Sequence, residues 1–321
     1  MKRILILGGS GFIGRHLCEK AFGLNCRVTV PTRRRINAQT VQSLPWVDVI
    51  EANVHDQAAL TRLVHGHDAV VNLIAILHGN VTAFDHVHVD LPQKLVRACL
   101  AAGVRRLVHV SALGAAPDAP SLYLRSKAKG EAVVAASALD STVVRPSVVF
   151  GAQDKFLNTF ARLQELFPVI PLAGANARFQ PVWVQDVATA IVRLLRREGM
   201  LPGLKSPSFP AVIEACGPDI FTLRELVQLA GELSGNPRPV LALPPALGRM
   251  QAWVMEKMPG EPLMSRDNLA SMQVDNVASG VVPGLEALGL NCASPRSIAP
   301  TYLSAVGADV LLSYRKLSGR L

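Results

Sequence analysis

The chain has 321 residues, of which 50% are hydrophobic and 18% charged, so it can bury a sizeable core and lacks the composition of a disordered protein. Its formal net charge of +9 admits an anionic partner, yet aromatics are only 5% and no Lys/Arg run is interleaved with them, which argues against nucleic acid. Cys18, Cys26, Cys99, Cys216 and Cys292 are scattered without a C-x-x-C pair, which argues for reduced thiols and against a disulfide framework or zinc site.

The first fourteen residues read Met-Lys-Arg-Ile-Leu-Ile-Leu-Gly-Gly-Ser-Gly-Phe-Ile-Gly. The apolar run from Ile4 to Leu7 predicts a strand buried on both faces. It is too short for a signal peptide and leads straight into a glycine turn, so the expected location is the cytoplasm. Gly8, Gly11 and Gly14 follow in a G-x-x-G-x-x-G spacing, and an amphipathic helix is expected over 12–21. Strand, glycine turn and helix N-terminus make a phosphate cradle. Glycine lets the backbone approach a pyrophosphate, while free N–H groups and the helix dipole favour its charge. The bland reading is a tight turn with no ligand; the strand-to-helix context speaks for a dinucleotide.

Further strands are expected at 27–30, 47–51, 69–73, 106–111 and 142–145, and helices at 57–64, 92–102 and 126–136. This alternation predicts an α/β fold with a doubly wound parallel sheet of the Rossmann type. The longest apolar stretch, 69–77, is interrupted by Asn72 and too short to span a bilayer. After Gly151 the regularity fades. The expected division is a dinucleotide-binding core over 1–151 and a smaller C-terminal lobe over 152–321, interleaved so that 182–195 and 211–215 pack on the core.

The second strand ends in Thr32, Arg33, Arg34 and Arg35, where an acidic residue would bind the ribose hydroxyls of NAD(H). Guanidinium groups suit a ribose 2′-phosphate, so NADP(H) is expected; a basic loop facing solvent is the alternative. Asn53 and Val54, closing the third strand, are expected beside the adenine. Tyr123 and Lys127 are four apart, which puts them on one helix face. A lysine ammonium beside the phenol would lower its pKa and suit acid–base work in hydride chemistry. A surface pair is the bland alternative.

Three weaker signals are read conservatively. His86 and His88, near Asp85 and Asp90, lack further ligands, so a polar loop and no metal is expected. Met250, Trp253, Val254 and Met258 form an apolar face between Arg249 and Lys257, expected to pack on the protein's own core, with an interfacial membrane helix as the alternative. Arg193, Arg196 and Arg197 suit the C-terminal end of a helix from Val187.

Together these residues resemble the short-chain dehydrogenase/reductase superfamily, in its extended and atypical branches. The motifs are Gly8-x-x-Gly11-x-x-Gly14, Tyr123-x-x-x-Lys127, Arg145-Pro146-Ser147-Val148-Val149-Phe150-Gly151 and Val184-Gln185-Asp186-Val187-Ala188. The resemblance implies cofactor contacts at Gly8, Gly11, Phe12, Ile13, Gly14, Thr32, Arg33, Arg34, Asn53, Val54, Ala75, Ser111, Tyr123, Lys127, Pro146 and Val148. It implies catalytic roles for Tyr123 and Lys127. In active members a Ser or Thr stands two residues beyond the first Ser after the fifth strand. Here Ser111 is followed by Ala112 and Leu113, which leaves Leu113 at that position and Ser111 as a doubtful substitute.

Leu-Val-His-Val-Ser-Ala-Leu-Gly-Ala, Tyr-Leu-Arg-Ser-Lys-Ala-Lys-Gly-Glu and residues 263–277 more narrowly resemble the nucleotide-binding accessory subunit of respiratory complex I and its bacterial relatives. That resemblance implies a tightly bound NADPH, structural or redox-sensing, near a quinone-linked electron-transfer system. A free reductase, epimerase or dehydratase acting on a nucleotide-sugar or other carbonyl substrate is the second reading. The basic surface leaves an anionic membrane surface, on the inner face of the cell membrane, as a further partner.

Overall fold

The computed structural model describes residues 2–196, 210–258, 260 and 262–303. Its first half runs β1 (Arg3–Leu7), α1 (Phe12–Lys20), β2 (Arg27–Thr32), β3 (Val47–Glu51), α2 (Gln57–Val64), β4 (Ala69–Asn72) and α3 (Val81–Asp85). A π-helical turn (His86–Asp90), α4 (Leu91–Ala102), β5 (Arg106–Val110), α5 (Leu122–Ala135) and β6 (Asp140–Pro146) follow. The second half runs β7 (Val149–Phe150), α6 (Leu157–Leu166), β8 (Ile170–Leu172), β9 (Arg178–Phe179), β10 (Val182–Trp183), α7 (Val184–Arg196) and β11 (Val212–Ala215). Then come β12 (Phe221–Thr222), α8 (Leu223–Leu233), β13 (Val240–Ala242), α9 (Pro245–Lys257) and shorter turns.

The chain forms two units. The first comprises Met1–Ser147, Val184–Cys216 and Ala278–Cys292, and the second Val148–Trp183, Gly217–Val277 and Ala293–Leu321. The first holds a seven-stranded sheet in the order β11-β6-β5-β4-β1-β2-β3, every neighbouring pair parallel. The order reverses between β1 and β4, which opens a crevice at the carboxyl ends of these strands. Ile4, Leu5, Ile6 and Leu7 are fully buried, as a strand covered by helices on both faces requires. α7 belongs to this unit, where Gln185 Nε2 lies 3.0 Å from His16 Nδ1 of α1 and Arg106 donates to the Leu194 carbonyl at 2.9 Å.

The boundaries shift from the sequence expectation where side chains cap or turn the backbone. α5 starts at Leu122 because the Ser121 side chain accepts the Leu124 N–H at 3.1 Å. β3 stops at Glu51, and the Asn53 side chain then accepts the His55 N–H at 3.0 Å, which turns the chain. His86 and His88 are not in a polar loop. They lie in the π-helical turn that joins α3 to α4, and His88 is buried. Arg197 lies outside the described residues.

In the second unit Phe150, Leu157, Phe221, Leu226 and Ala230 form one apolar cluster, and β8 pairs in parallel with β13. α9 departs from expectation. Gly248 and Ala252 are its buried residues, whereas Met250, Trp253, Val254 and Met258 are exposed. Among the described residues its large apolar face is therefore not packed on the core. Among the described residues no helix is long and apolar enough to cross a membrane, and no group of three His, Cys, Asp or Glu is placed to hold a metal ion.

Candidate functional site

The glycines after β1 do three different jobs. Gly8 takes φ +80°, a conformation L side chains rarely adopt. Gly14 lets α1 close on the turn, since a Cβ there would sit 2.2 Å from the Gly8 carbonyl oxygen. Gly11 is exposed, with an ordinary φ of −80°, and beyond its chain neighbours a Cβ there would meet only the Gly8 oxygen, at 3.2 Å. Backbone strain does not explain that glycine; the close Gly8 oxygen and its place before a helix N-terminus do. Gly11 N-caps α1 without a side-chain acceptor, so the first turn, through Phe12 and Ile13, keeps N–H groups for an anion. These residues fit a dinucleotide pyrophosphate. The adjacent Gly9 was not singled out from sequence; its Cβ would lie 2.7 Å from a Val30 methyl, a packing reason rather than a binding one.

Thr32 is buried at the end of β2 and donates to the Arg34 carbonyl at 3.0 Å, which turns the chain. Arg33 and Arg34 are exposed beyond it. After β3, Asn53 is exposed and Val54 buried. The His55 ring stacks on His86 with centroids 4.3 Å apart, and Lys94 Nζ donates to the His55 carbonyl at 2.7 Å. Burial, then electrostatic repulsion from His86, Lys94 and Arg33, holds His55 below the usual imidazole range, with Asp90 acting the other way. Ala75 is exposed past β4, Pro146 is buried at the end of β6, and Val148 opens the second unit, its N–H donating to the Asn276 side chain.

Tyr123 and Lys127 share the face of α5 turned into the first unit. Lys127 is buried, and its Nζ donates to the Val110 carbonyl at 2.8 Å. Burial pushes the ammonium down to about 8, partly offset by Glu131 one turn on. Glu131 is itself held by Arg145 of β6, at 2.9 Å. Tyr123 is half-buried, packed edge-on against His88 (5.6 Å) and Phe84 (6.2 Å). The expected lowering of its phenol pKa is overturned. Burial drives it up to about 12.

A hydrogen-bond chain locks this face. The Ile76 N–H donates to His88 Nε2 at 3.1 Å, which leaves the proton on Nδ1, 2.7 Å from Ser126 Oγ; that hydroxyl donates to the Tyr123 carbonyl at 2.7 Å. Below it, Asn72 Nδ2 donates to His109 Nδ1 at 3.1 Å. His88 and His109 are both pushed down to about 3, by burial first and then by Lys127. Asn72, His109 and Glu131 carried no site assignment from sequence, and His88 was expected only in a polar loop. Only Glu131, one helical turn past Lys127, carried a spacing signal.

Leu113 is 2% exposed and its N–H donates to the Pro146 carbonyl at 2.9 Å. It presents no polar side-chain group. Ser111 is buried at the end of β5, and its Oγ has no hydrogen-bond partner among the described residues.

The model of the NAD dependent epimerase/dehydratase family matches residues 4–203, more than half the chain. The chain belongs to this family. It is 28% identical to the mitochondrial NADH dehydrogenase (ubiquinone) 1 alpha subcomplex subunit 9 of Mus musculus, over 97% of this chain and 80% of that protein. It is 26% identical to sterol demethylase protein B of Methylococcus capsulatus, over 80% of this chain and 81% of that one. An NADPH-dependent quinone oxidoreductase from Escherichia coli, solved with NADPH, shares the fold with a TM-score of 0.70 at 18% identity, over 94% of this chain and 99% of that one. The family gives the chain a dinucleotide-binding core of the short-chain dehydrogenase/reductase type.

Proposed function

We propose that this family member holds NADP(H) as a structural or redox-sensing group and works beside a respiratory complex I-type or other quinone-linked electron-transfer system. The observation that carries the reading is an open dinucleotide cradle joined to a catalytic turn whose expected donor position is the buried Leu113. Gly11 and the first turn of α1 bind the pyrophosphate, and Arg33 and Arg34 take the 2′-phosphate. Lys127 and Tyr123 bind the nicotinamide ribose. The bound nicotinamide supplies hydride donor or acceptor chemistry. A carbonyl substrate would also need a fixed donor for its developing alkoxide, whose loss costs about two to three orders of magnitude in rate. Likeness over nearly the whole chain to the mouse complex I subunit supports the partner assignment. The expected location is cytoplasmic, peripheral on the inner face of the cell membrane.

A second reading is a free NAD(P)-dependent reductase, epimerase or dehydratase acting on a nucleotide-sugar or other carbonyl compound. The intact Tyr123–Lys127 pair favours it, as does the Methylococcus relative. The test is to mix NADPH-loaded protein with a panel of aldehydes, ketones and nucleotide-sugars and follow nicotinamide absorbance. The first reading expects no more than trace oxidation. Robust turnover that Ser111→Ala abolishes establishes the second.

A further inference from the structure

The amphipathicity of α9 is inverted. In a helix packed on a soluble core the large apolar residues face inward. Here the fully buried residues are small: a Cβ on Gly248 would lie 2.9 Å from the Ala173 Cβ, and Ala252 is fully buried, with Met255 half-buried on the same face. The other large apolar side chains point outward, from 46% exposed at Leu247 to 62% at Met258. Leu247, Met250, Val254 and Met258 fall at i, i+3, i+7 and i+11, a single stripe along the helix. Trp253, half exposed, stands beside it.

The charges next to the stripe have one sign. Arg249, Trp253 and Lys257 recur at four-residue spacing, so they form a row along one edge of the stripe. Among the described residues neither Arg249 nor Lys257 is paired with a carboxylate. The acid of the helix, Glu256, is taken up by Arg266, whose Nε lies 2.9 Å away and whose N–H donates at 2.7 Å. The whole chain carries a net charge of +9. A row of cation, tryptophan and cation beside an apolar stripe matches the layered chemistry of a bilayer surface. Apolar side chains enter the acyl boundary, the indole sits among headgroups, and the cations reach lipid phosphates.

We infer that α9 is a peripheral membrane anchor that lays its Leu247–Met258 stripe into an anionic lipid surface. The helix does not span the bilayer; it lies in the interface plane. This inference does not rest on the nucleotide reading, because every residue in it belongs to the second unit.

The test is co-sedimentation of the full chain with two kinds of vesicle, phosphatidylcholine alone and equal parts phosphatidylcholine and phosphatidylglycerol. The protein is expected to bind the anionic vesicles, more weakly with added salt, and to prefer them to the neutral ones. Met250→Glu with Val254→Glu, both at exposed positions, should reduce partitioning by about tenfold or more with an unchanged thermal midpoint. Arg249→Gln with Lys257→Gln should reduce it several-fold and flatten its salt dependence. Brominated acyl chains should quench tryptophan emission, and Trp253→Phe should remove that quenching. No binding to anionic vesicles at low salt overturns the inference. So does binding that survives the glutamate pair, which would place the contact on another surface. So does a wild-type dimer without lipid affinity that the glutamate pair converts to monomer, which would make a second copy the occupant.

Discussion

Gly11 and Gly14 sit three residues apart in one motif and should fail in different ways. Gly11→Val places a branched side chain before α1, its Cβ 3.2 Å from the Gly8 oxygen, so nucleotide affinity should vanish while the thermal midpoint falls far less than in Gly14→Ala; unchanged affinity by calorimetry would place the ligand elsewhere. Gly14→Ala drives a Cβ to 2.2 Å from a backbone oxygen, so it should destabilise the fold by roughly 1–3 kcal/mol or more in a urea titration. Arg33→Ala with Arg34→Ala removes two exposed cations at the end of β2. NADPH should weaken by about 10- to 100-fold and NADH by little, since only the former carries the extra phosphate. Equal losses would refute the assignment of these arginines. Leu113→Ser offers a hydroxyl at a buried turn and should leave an inert protein inert or raise a trace of carbonyl reduction. Tyr123→Phe keeps the ring and should leave NADPH binding within a few-fold, measured side by side with wild type.

At the scale of elements, the π-helical turn carries a pH-dependent load. His88 links the residues after β4 to α5 through Ile76 and Ser126, and burial pushes its pKa from 6.5 down to about 3. The folded value lies below the ordinary one, so the unfolded chain binds the proton first as pH falls. Stability from this group is fully present above about pH 6.5 and drains away between 6.5 and 3, with a limiting slope of about 1.4 kcal/mol per pH unit. His109 adds in the same direction. Urea midpoints measured across that window should fall with acid, and His88→Gln should reduce the slope by one proton. An unchanged slope in that variant would show that His88 is not held neutral. The turn itself was not legible in sequence. Its histidines read as polar because a short run with aspartates on either side has loop chemistry, whereas a wide helical turn lets His88 point inward and leaves His86 outside.

On the whole molecule, the parallel sheet was legible because its strands are continuous apolar runs and its first turn is spelled in glycine. The Tyr123–Lys127 face was legible by spacing alone. The electrostatics of that face were not, because they depend on Val110, Asn72, His88 and His109, which the sheet and the π-helical turn bring to it from across the sequence. α9 was misjudged because apolar periodicity marks a face without saying what covers it; the residues it buries are the small Gly248 and Ala252. Retention of NADP(H) in the family's cradle can be read by mass spectrometry of the nucleotide released when the purified protein is denatured. NADP(H) is expected in near-equimolar amount. NAD(H) in its place, or no dinucleotide from protein that also fails to bind added NADPH, would contradict it.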